Sequence, residues 1–263
     1  MESLSLFVGS GKCNANCGHC AGVPLREYAP KKDGILDEDL IYKTIRECYD
    51  KGARYLSISS SGEPTLSPIS ITRTLEMVHG LKDEGIKFNP INLYSNGIKI
   101  GGDKEFSDKY LGVWKDYGLT TIYVTVHDVD EKKNAKIYGV GEYPKLENIV
   151  SRIHNAYLLI RGNIVLSKNT VGDFGDFVST VNYLGDLGFD KISAWPIRDI
   201  QDKVDVNLSP SESELDKMQE WIKKNNKENY VRLLREDRKV AYTENRKLTL
   251  FPNGILSNTW CNN

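Results

Sequence analysis

Apolar positions along the chain switch repeatedly between two spacings. Short runs in which they alternate or cluster, closed by Gly, Ser or Asn, predict strands over 4–9 (LSLFVG), 54–60 (RYLSISS), 91–95 (INLYS), 120–128 (TTIYVTVHD), 161–168 (RGNIVLSK) and 190–197 (DKISAWPI). Between these runs the apolar residues recur every three to four positions. That predicts helices over 37–52 (Leu40, Ile41, Ile45, Cys48 and Tyr49 on one side), within 67–85, over 106–118, over 143–160 and over 173–188. The fourth of these rests on Leu146, Ile149, Val150, Ile153, Tyr157 and Ile160. Asp37 suits the N-cap of the first helix and Gly52 the position past its C-cap.

Six strand–helix units in about 200 residues have the spacing of βαβ units, so the fold class is α/β with parallel strands. After residue 200 the rhythm changes. Ser211 with Glu214 three residues on is a capping-box start for one more helix. The charge-rich stretch that follows predicts no element, and 247–258 predicts a hairpin closed near Asn253-Gly254. No linker composition interrupts the chain. A core over 1–200 and an extension over 201–263 packed on it are expected to form one domain. In parallel sheets and barrels, ligands bind at the C-terminal ends of strands, which directs attention to the residues just after each predicted strand.

Composition changes this picture little. The net charge of -1 over 263 residues argues against a general nucleic-acid surface. No run reaches the roughly 20 apolar residues of a membrane span, and the first residues are too few and too polar for a signal peptide. A cytoplasmic protein is expected. Five cysteines, three of them crowded, then read as metal binding rather than as a disulfide framework.

The three are Cys13, Cys17 and Cys20 in "CNANCGHC", spaced C-x3-C-x2-C directly after the first strand. Thiolates bind zinc or iron–sulfur clusters. A structural zinc site is closed by four ligands, usually as two pairs. Cys48 falls on a core-facing helix side and Cys261 at the far end of the chain. His19 is a possible fourth ligand, but it adjoins Cys20, and neighbouring side chains in an extended loop point apart. Three cysteines on a four-iron cluster leave one iron open to an exogenous ligand. The open position is then the functional one.

This loop resembles the signature of the radical S-adenosylmethionine (SAM) superfamily. The likeness continues along the chain. "SSSGEP" (59–64) after the second strand is similar to the family's Gly-Gly-Glu-Pro segment, with Ser61 in place of its first glycine, and Ser95-Asn96-Gly97 after the third is similar to a Thr-Asn-Gly found in several members. The order matches over about residues 3–200. The resemblance implies a partial (β/α)6, TIM-like barrel with a C-terminal helix and hairpin. It implies a 4Fe-4S cluster held by Cys13, Cys17 and Cys20 and reductive cleavage of SAM to methionine and a 5′-deoxyadenosyl radical that takes hydrogen from a substrate. An electron donor of the flavodoxin or ferredoxin type and exclusion of oxygen follow. The substrate is expected to be a small metabolite or a peptide.

Site residues carry over position by position. His19 fills the place whose backbone meets the adenine, and Gly62, Glu63 and Pro64 the place that binds the methionine ammonium, although Gly and Pro also mark ordinary turns. Ser95 and Asn96 follow at the third strand. On the fourth strand alternation puts Tyr123, Thr125 and His127 on one face, polar where a buried parallel strand is normally apolar. Thr125 matches a serine that relatives place on SAM; Tyr123 and His127 point toward substrate, unless this face meets solvent. "RGNIVLSKN" (161–169) resembles a Lys-x-Asn-x-Val segment of the molybdenum-cofactor cyclase branch, nearest in pattern. That places Asn163 by SAM and Arg161 on a substrate anion, with a surface arginine as the alternative. Ile197 and Trp195, from "AWPIRD", are candidates beside the adenine or substrate, or plain core.

Departures matter as well. The chain has neither the second three-cysteine set nor the closing Gly-Gly of that cyclase, and is expected to be a different enzyme. Cys261 is a candidate hydrogen-atom donor to a substrate radical, or a tail cysteine without a role. The rivals are a non-catalytic zinc scaffold on the three cysteines and His19, and, within the class, an activase that installs a glycyl radical on another protein.

Overall fold

A computed structural model describes residues 1–199, 203–235 and 246–258. Nine strands form one sheet: β1 (Ser3–Phe7), β2 (Tyr55–Ser59), β3 (Ile91–Ser95), β4 (Thr121–Val126), β5 (Leu159–Leu166), β6 (Lys191–Pro196), β7 (Val231–Leu233), β8 (Lys247–Leu250) and β9 (Leu256–Ser257). Their order is β7-β6-β5-β4-β3-β2-β1-β8-β9. Every neighbouring pair is parallel except β8 with β9. The six expected β/α units therefore sit side by side in chain order. The C-terminal stretch supplies strands to both flanks, β7 beyond β6 and β8 beyond β1.

Helices cover one face: α1 (Glu38–Asp50), α2 (Pro68–Gly80), α3 (Ile98–Gly102), α4 (Lys104–Asp116), α5 (Glu131–Tyr138), α6 (Leu146–Asn155), α7 (Phe174–Asp186) and α8 (Glu212–Lys224). Their starts follow capping chemistry. The carboxylates of Asp37, Asp103, Asp130 and Asp173, and the Ser211 hydroxyl, each accept a backbone N–H of the first turn. The strand residues facing these helices, among them Leu4, Leu56, Ile58, Leu93, Ile122, Val124, Ile160, Ile164 and Ile192, are fully buried. They form one core with Ile45, Leu75, Trp114, Ile153 and Phe177 from the helices.

The opposite face has another composition. Register places Ser5 beside Ser57, Ser57 beside Asn92 and Asn92 beside Thr121. Thr249 lies beyond Ser5. Small polar side chains thus line the inner wall, where an ordinary doubly covered parallel sheet would be apolar.

Two expectations need correction. The helix predicted over 143–160 ends at Asn155, because the chain turns at Tyr157, whose φ is 56° and whose ring is exposed. Tyr157 is not on a helix face, and Ile160 belongs to β5. The strand predicted over 120–128 stops at Val126, so His127 stands just past its end. Three elements escaped the pattern: α3, α5 and β7. The hairpin near Asn253-Gly254 forms, with Thr249 opposite Ser257.

Candidate active site

The cysteine loop leaves β1 and is fastened at several points. Val8 N–H donates to the Ser59 carbonyl (2.8 Å), Glu63 N–H to the Lys12 carbonyl (2.8 Å) and Asn16 N–H to the Tyr138 carbonyl (2.7 Å). The Asn96 amide donates to Asn14 Oδ1 at 2.8 Å. The loop after β2 lies so close to it that a Cβ on Gly62 would sit 2.2 Å from the Lys12 carbonyl oxygen and 2.4 Å from that of Gly11. The close approach that glycine permits at position 62 is therefore first to the chain's own cysteine loop.

Cys13, Cys17 and Cys20 are all free thiols, half-buried in this loop. Burial, with the neighbouring Cys20 and Cys13, pushes the Cys17 thiol up to about 12, and burial pushes Cys13 up as well. Cys17 and Cys13 thus sense the neighbouring thiols, and burial favours their protonated forms, a preference that added positive charge reverses. Iron supplies such charge and takes up thiolates. Among the described residues no three His, Cys, Asp or Glu side chains are set closely enough to share a single metal ion. Cys48 is fully buried in the core. Cys261, the candidate hydrogen donor, lies outside the described residues. The donor set fits a three-thiolate iron–sulfur cluster.

Beside the loop sits Glu63, buried. Its Oε1 accepts from Thr65 N–H (3.1 Å), the Thr65 hydroxyl (2.7 Å) and the Ser95 hydroxyl (2.8 Å), while Oε2 accepts from Asn96 N–H (2.8 Å). Burial raises its pKa and these four bonds oppose that. A carboxylate offers about four lone-pair sites, two on each oxygen. Oε1 is saturated, and Oε2 keeps an acceptor position for a cation. Pro64, at the start of a 3-10 turn over Pro64–Leu66, fixes the approach. Ser95 and Asn96 thus act through Glu63 as well as at the strand end.

Farther along the wall Thr125 and Asn163 are register partners, and Asn163 pairs with Ser193 on β6. Asn163 is buried. Tyr123 and Arg161 pair on the same face: Arg161 Nη1 donates to the Tyr123 hydroxyl at 3.1 Å, and the Tyr123 ring packs on Tyr94 with centroids 4.6 Å apart. Arg161 is thus no free surface arginine; its Nε is buried without a partner among the described residues.

His19, His127 and Ile197 line one cleft of about 370 Å³ with Ser167, Thr170 and Leu208. His127 is buried, its ring edge-on to His19 at 5.0 Å and to Tyr138 at 4.9 Å. Desolvation lowers its pKa to about 3, so the ring is neutral, and Nε2 has no partner among the described residues. Trp195 is half-buried and does not line this cleft; Arg198 packs over its ring at 5.9 Å. The site residues therefore fall into three groups along the strands: the cysteine–Glu63 corner, the His19–His127–Ile197 cleft, and the Tyr123–Arg161 pair deeper in the wall.

Sequence reasoning missed Asn14, Arg26 and Tyr138. Arg26 Nη2 lies 3.7 Å from Cys20 Sγ. Tyr138 stacks on Tyr143 at 5.2 Å and its hydroxyl donates to the Thr125 carbonyl at 2.9 Å, forming an aromatic wall behind the loop. Asp130 as N-cap and Gly139 in the left-handed region past the C-terminus were the available signals for α5.

Comparison with known proteins gives concordant findings. The family model described as the radical SAM superfamily matches residues 7–181. A GTP 3′,8-cyclase of Actinobacillus succinogenes is 27% identical over 188 residues, covering 70% of this chain and 46% of its own length. A probable GTP 3′,8-cyclase of Methanococcus aeolicus is 25% identical over 239 residues, covering 91% and 72%. Among solved structures, Streptococcus suis SuiB bound to the precursor peptide SuiA superimposes with a TM-score of 0.67 at 15% identity, over 98% of this chain and 59% of that one. SuiB bound to S-adenosylmethionine gives 0.63 at 17%, over 98% and 58%. The chain spans about half the length of the first of these relatives, and the structural likeness is one of fold.

Proposed function

The chain belongs to the radical SAM superfamily, enzymes that use a 4Fe-4S cluster and S-adenosylmethionine, and from that premise we propose how its own residues divide the work. Cys13, Cys17 and Cys20 hold the cluster and leave one iron for SAM. The observation that carries this is the loop itself: three half-buried free thiols that sense one another, with no fourth described cysteine beside them, inside the matched family region. When bound, the cluster supplies one electron that cleaves SAM to methionine and a 5′-deoxyadenosyl radical.

Glu63 receives the methionine ammonium on Oε2, with Ser95 and Asn96 keeping its carboxylate turned inward. Gly62 and Pro64 set the loop that carries it. Thr125 and Asn163 offer hydrogen bonds along the wall. His19 and Ile197 flank the adenine in the cleft they both line, and neutral His127 offers a hydrogen bond there without adding charge. The substrate lies against the wall that carries Tyr123 and Arg161, with Trp195 at its border, and loses a hydrogen atom in this dry space.

The substrate class proposed is a small polar metabolite or a peptide. The names of the relatives point to GTP in one case and a precursor peptide in the other. The electron arrives from a flavodoxin- or ferredoxin-type donor. The test is anaerobic reconstitution with iron and sulfide, then SAM and dithionite, with 5′-deoxyadenosine quantified beside Cys17→Ala. Formation in the intact protein alone is expected. None from a protein that has bound four irons overturns the proposal.

A further inference from the structure

A cation stands over the thiols. Arg26 lies on the 3-10 turn Val23–Tyr28 that follows Cys20. Leu25, its neighbour, is buried with Phe7 and Phe251, which fixes the turn against the end of β1. The guanidinium is held on two sides: Nε donates to the Ser61 carbonyl at 3.2 Å, and Nη2 reaches Cys20 Sγ at 3.7 Å. Its charge also favours the thiolate forms of Cys13 and Cys17. No carboxylate is paired with it among the described residues. The buried acid of the same corner, Glu63, is saturated at Oε1 by other donors.

Arg26 is half-buried, and a cation in that setting is attracted to a negative group a few ångströms away. The facing group is the set of three sulfurs. We propose that Arg26 is a positioning and tuning residue for the cluster: its N–H bond to Cys20 and its charge stabilise the reduced cluster, raising its reduction potential. Reduction adds one negative charge to the cluster, so a fixed cation a hydrogen bond away favours the reduced form more than the oxidised one. Hydrogen bonds to cluster sulfurs are among the features that set such potentials. Arginine suits the task because it keeps its charge at any working pH and its planar fork can grip Ser61 and Cys20 together.

This inference rests on the cluster reading above, and the experiment separates the two. The protein is reconstituted anaerobically, iron and sulfide are counted, and the midpoint potential is measured by EPR-monitored titration. Arg26→Gln is expected to weaken reduction about tenfold, a fall of about 59 mV for one electron. Arg46→Gln, which removes an exposed arginine paired with Glu84 and not with the cysteine loop, is expected to leave it unchanged. A merely structural Arg26 would lower Tm and leave the potential alone, which overturns the proposal. A second measurement needs no variant. With 15N-arginine incorporated, the reduced wild-type cluster is expected to show a weak 15N hyperfine coupling, and its absence overturns the proposal even if Arg26→Gln fails to fold. A protein that takes up no cluster overturns the cluster reading and this inference with it.

Discussion

The two faces of the one sheet differ in almost every physical respect. Toward the helices, Leu4, Leu56, Ile58, Ile122, Val124 and Ile164 are fully buried in one apolar core. On the inner face, the same strands present Ser5, Ser57, Asn92, Thr125 and Asn163, and buried polar atoms such as Asn92 Oδ1, Thr249 Oγ1 and Arg161 Nε have no partner among the described residues. An orphaned buried polar atom costs about 1–3 kcal/mol. The chain tolerates several on one face because the other supplies the burial. One face therefore holds the fold, and the other is arranged for something to be bound.

Substitutions can break this division. The largest effect is expected on the outer face, where Ile58→Ala should remove about 2–5 kcal/mol of stability. Chemical denaturation checks it, and SAM cleavage per folded molecule should stay near wild type. At the inner corner the pattern should reverse. Glu63→Gln keeps the shape and removes the charge, so SAM binding should weaken by about 2 kcal/mol, roughly 30-fold, while the new NH2 facing the Asn96 N–H costs about 1–3 kcal/mol of stability, less than the largest loss at Ile58. Isothermal titration on the reconstituted protein reads this directly.

His127 sharpens the comparison through pH. Its folded pKa, near 3, lies below the ordinary value of about 6.5. The unfolded chain therefore binds a proton that the folded chain refuses. Its contribution to stability is complete above about pH 6.5 and is lost as pH falls toward 3, by about 1.4 kcal/mol per pH unit. His127→Gln should make the acid limb of the stability profile shallower by that amount. The smallest effect is expected at Thr125→Ala, which should cost less than about 1 kcal/mol of stability and raise the KM for SAM about fivefold, about 1 kcal/mol. A larger loss of stability than at Ile58 would erase the distinction between the faces.

Much of the outer face was legible because burial writes a period into the chain. Ile149, Val150 and Ile153 announce α6, and the alternation through Tyr123, Thr125 and His127 announces a wall with one polar side. The same signal failed where two periods overlap. Tyr157 and Ile160 continue the helical spacing across a three-residue turn, and no glycine marks that turn although Tyr157 adopts a positive φ. The short helix α5 is mostly polar, and β7 is three residues inside a charged stretch, so neither carries enough pattern to stand out. In the site, the cysteines could be read because their spacing is local. The Asn14–Asn96 bond and the reach of Arg26 to Cys20 depend on how separate elements meet, and nothing in their spacing records that.

The central claim is that the fourth position of the three-cysteine cluster is open to SAM. The most direct measurement is the EPR spectrum of the reduced, reconstituted protein before and after SAM is added. A shifted spectrum, absent when buffer replaces SAM and lost in Cys13→Ala, Cys17→Ala and Cys20→Ala, is the result the account predicts. A four-iron spectrum that SAM leaves unchanged would mean that the site is closed by the protein and would contradict it.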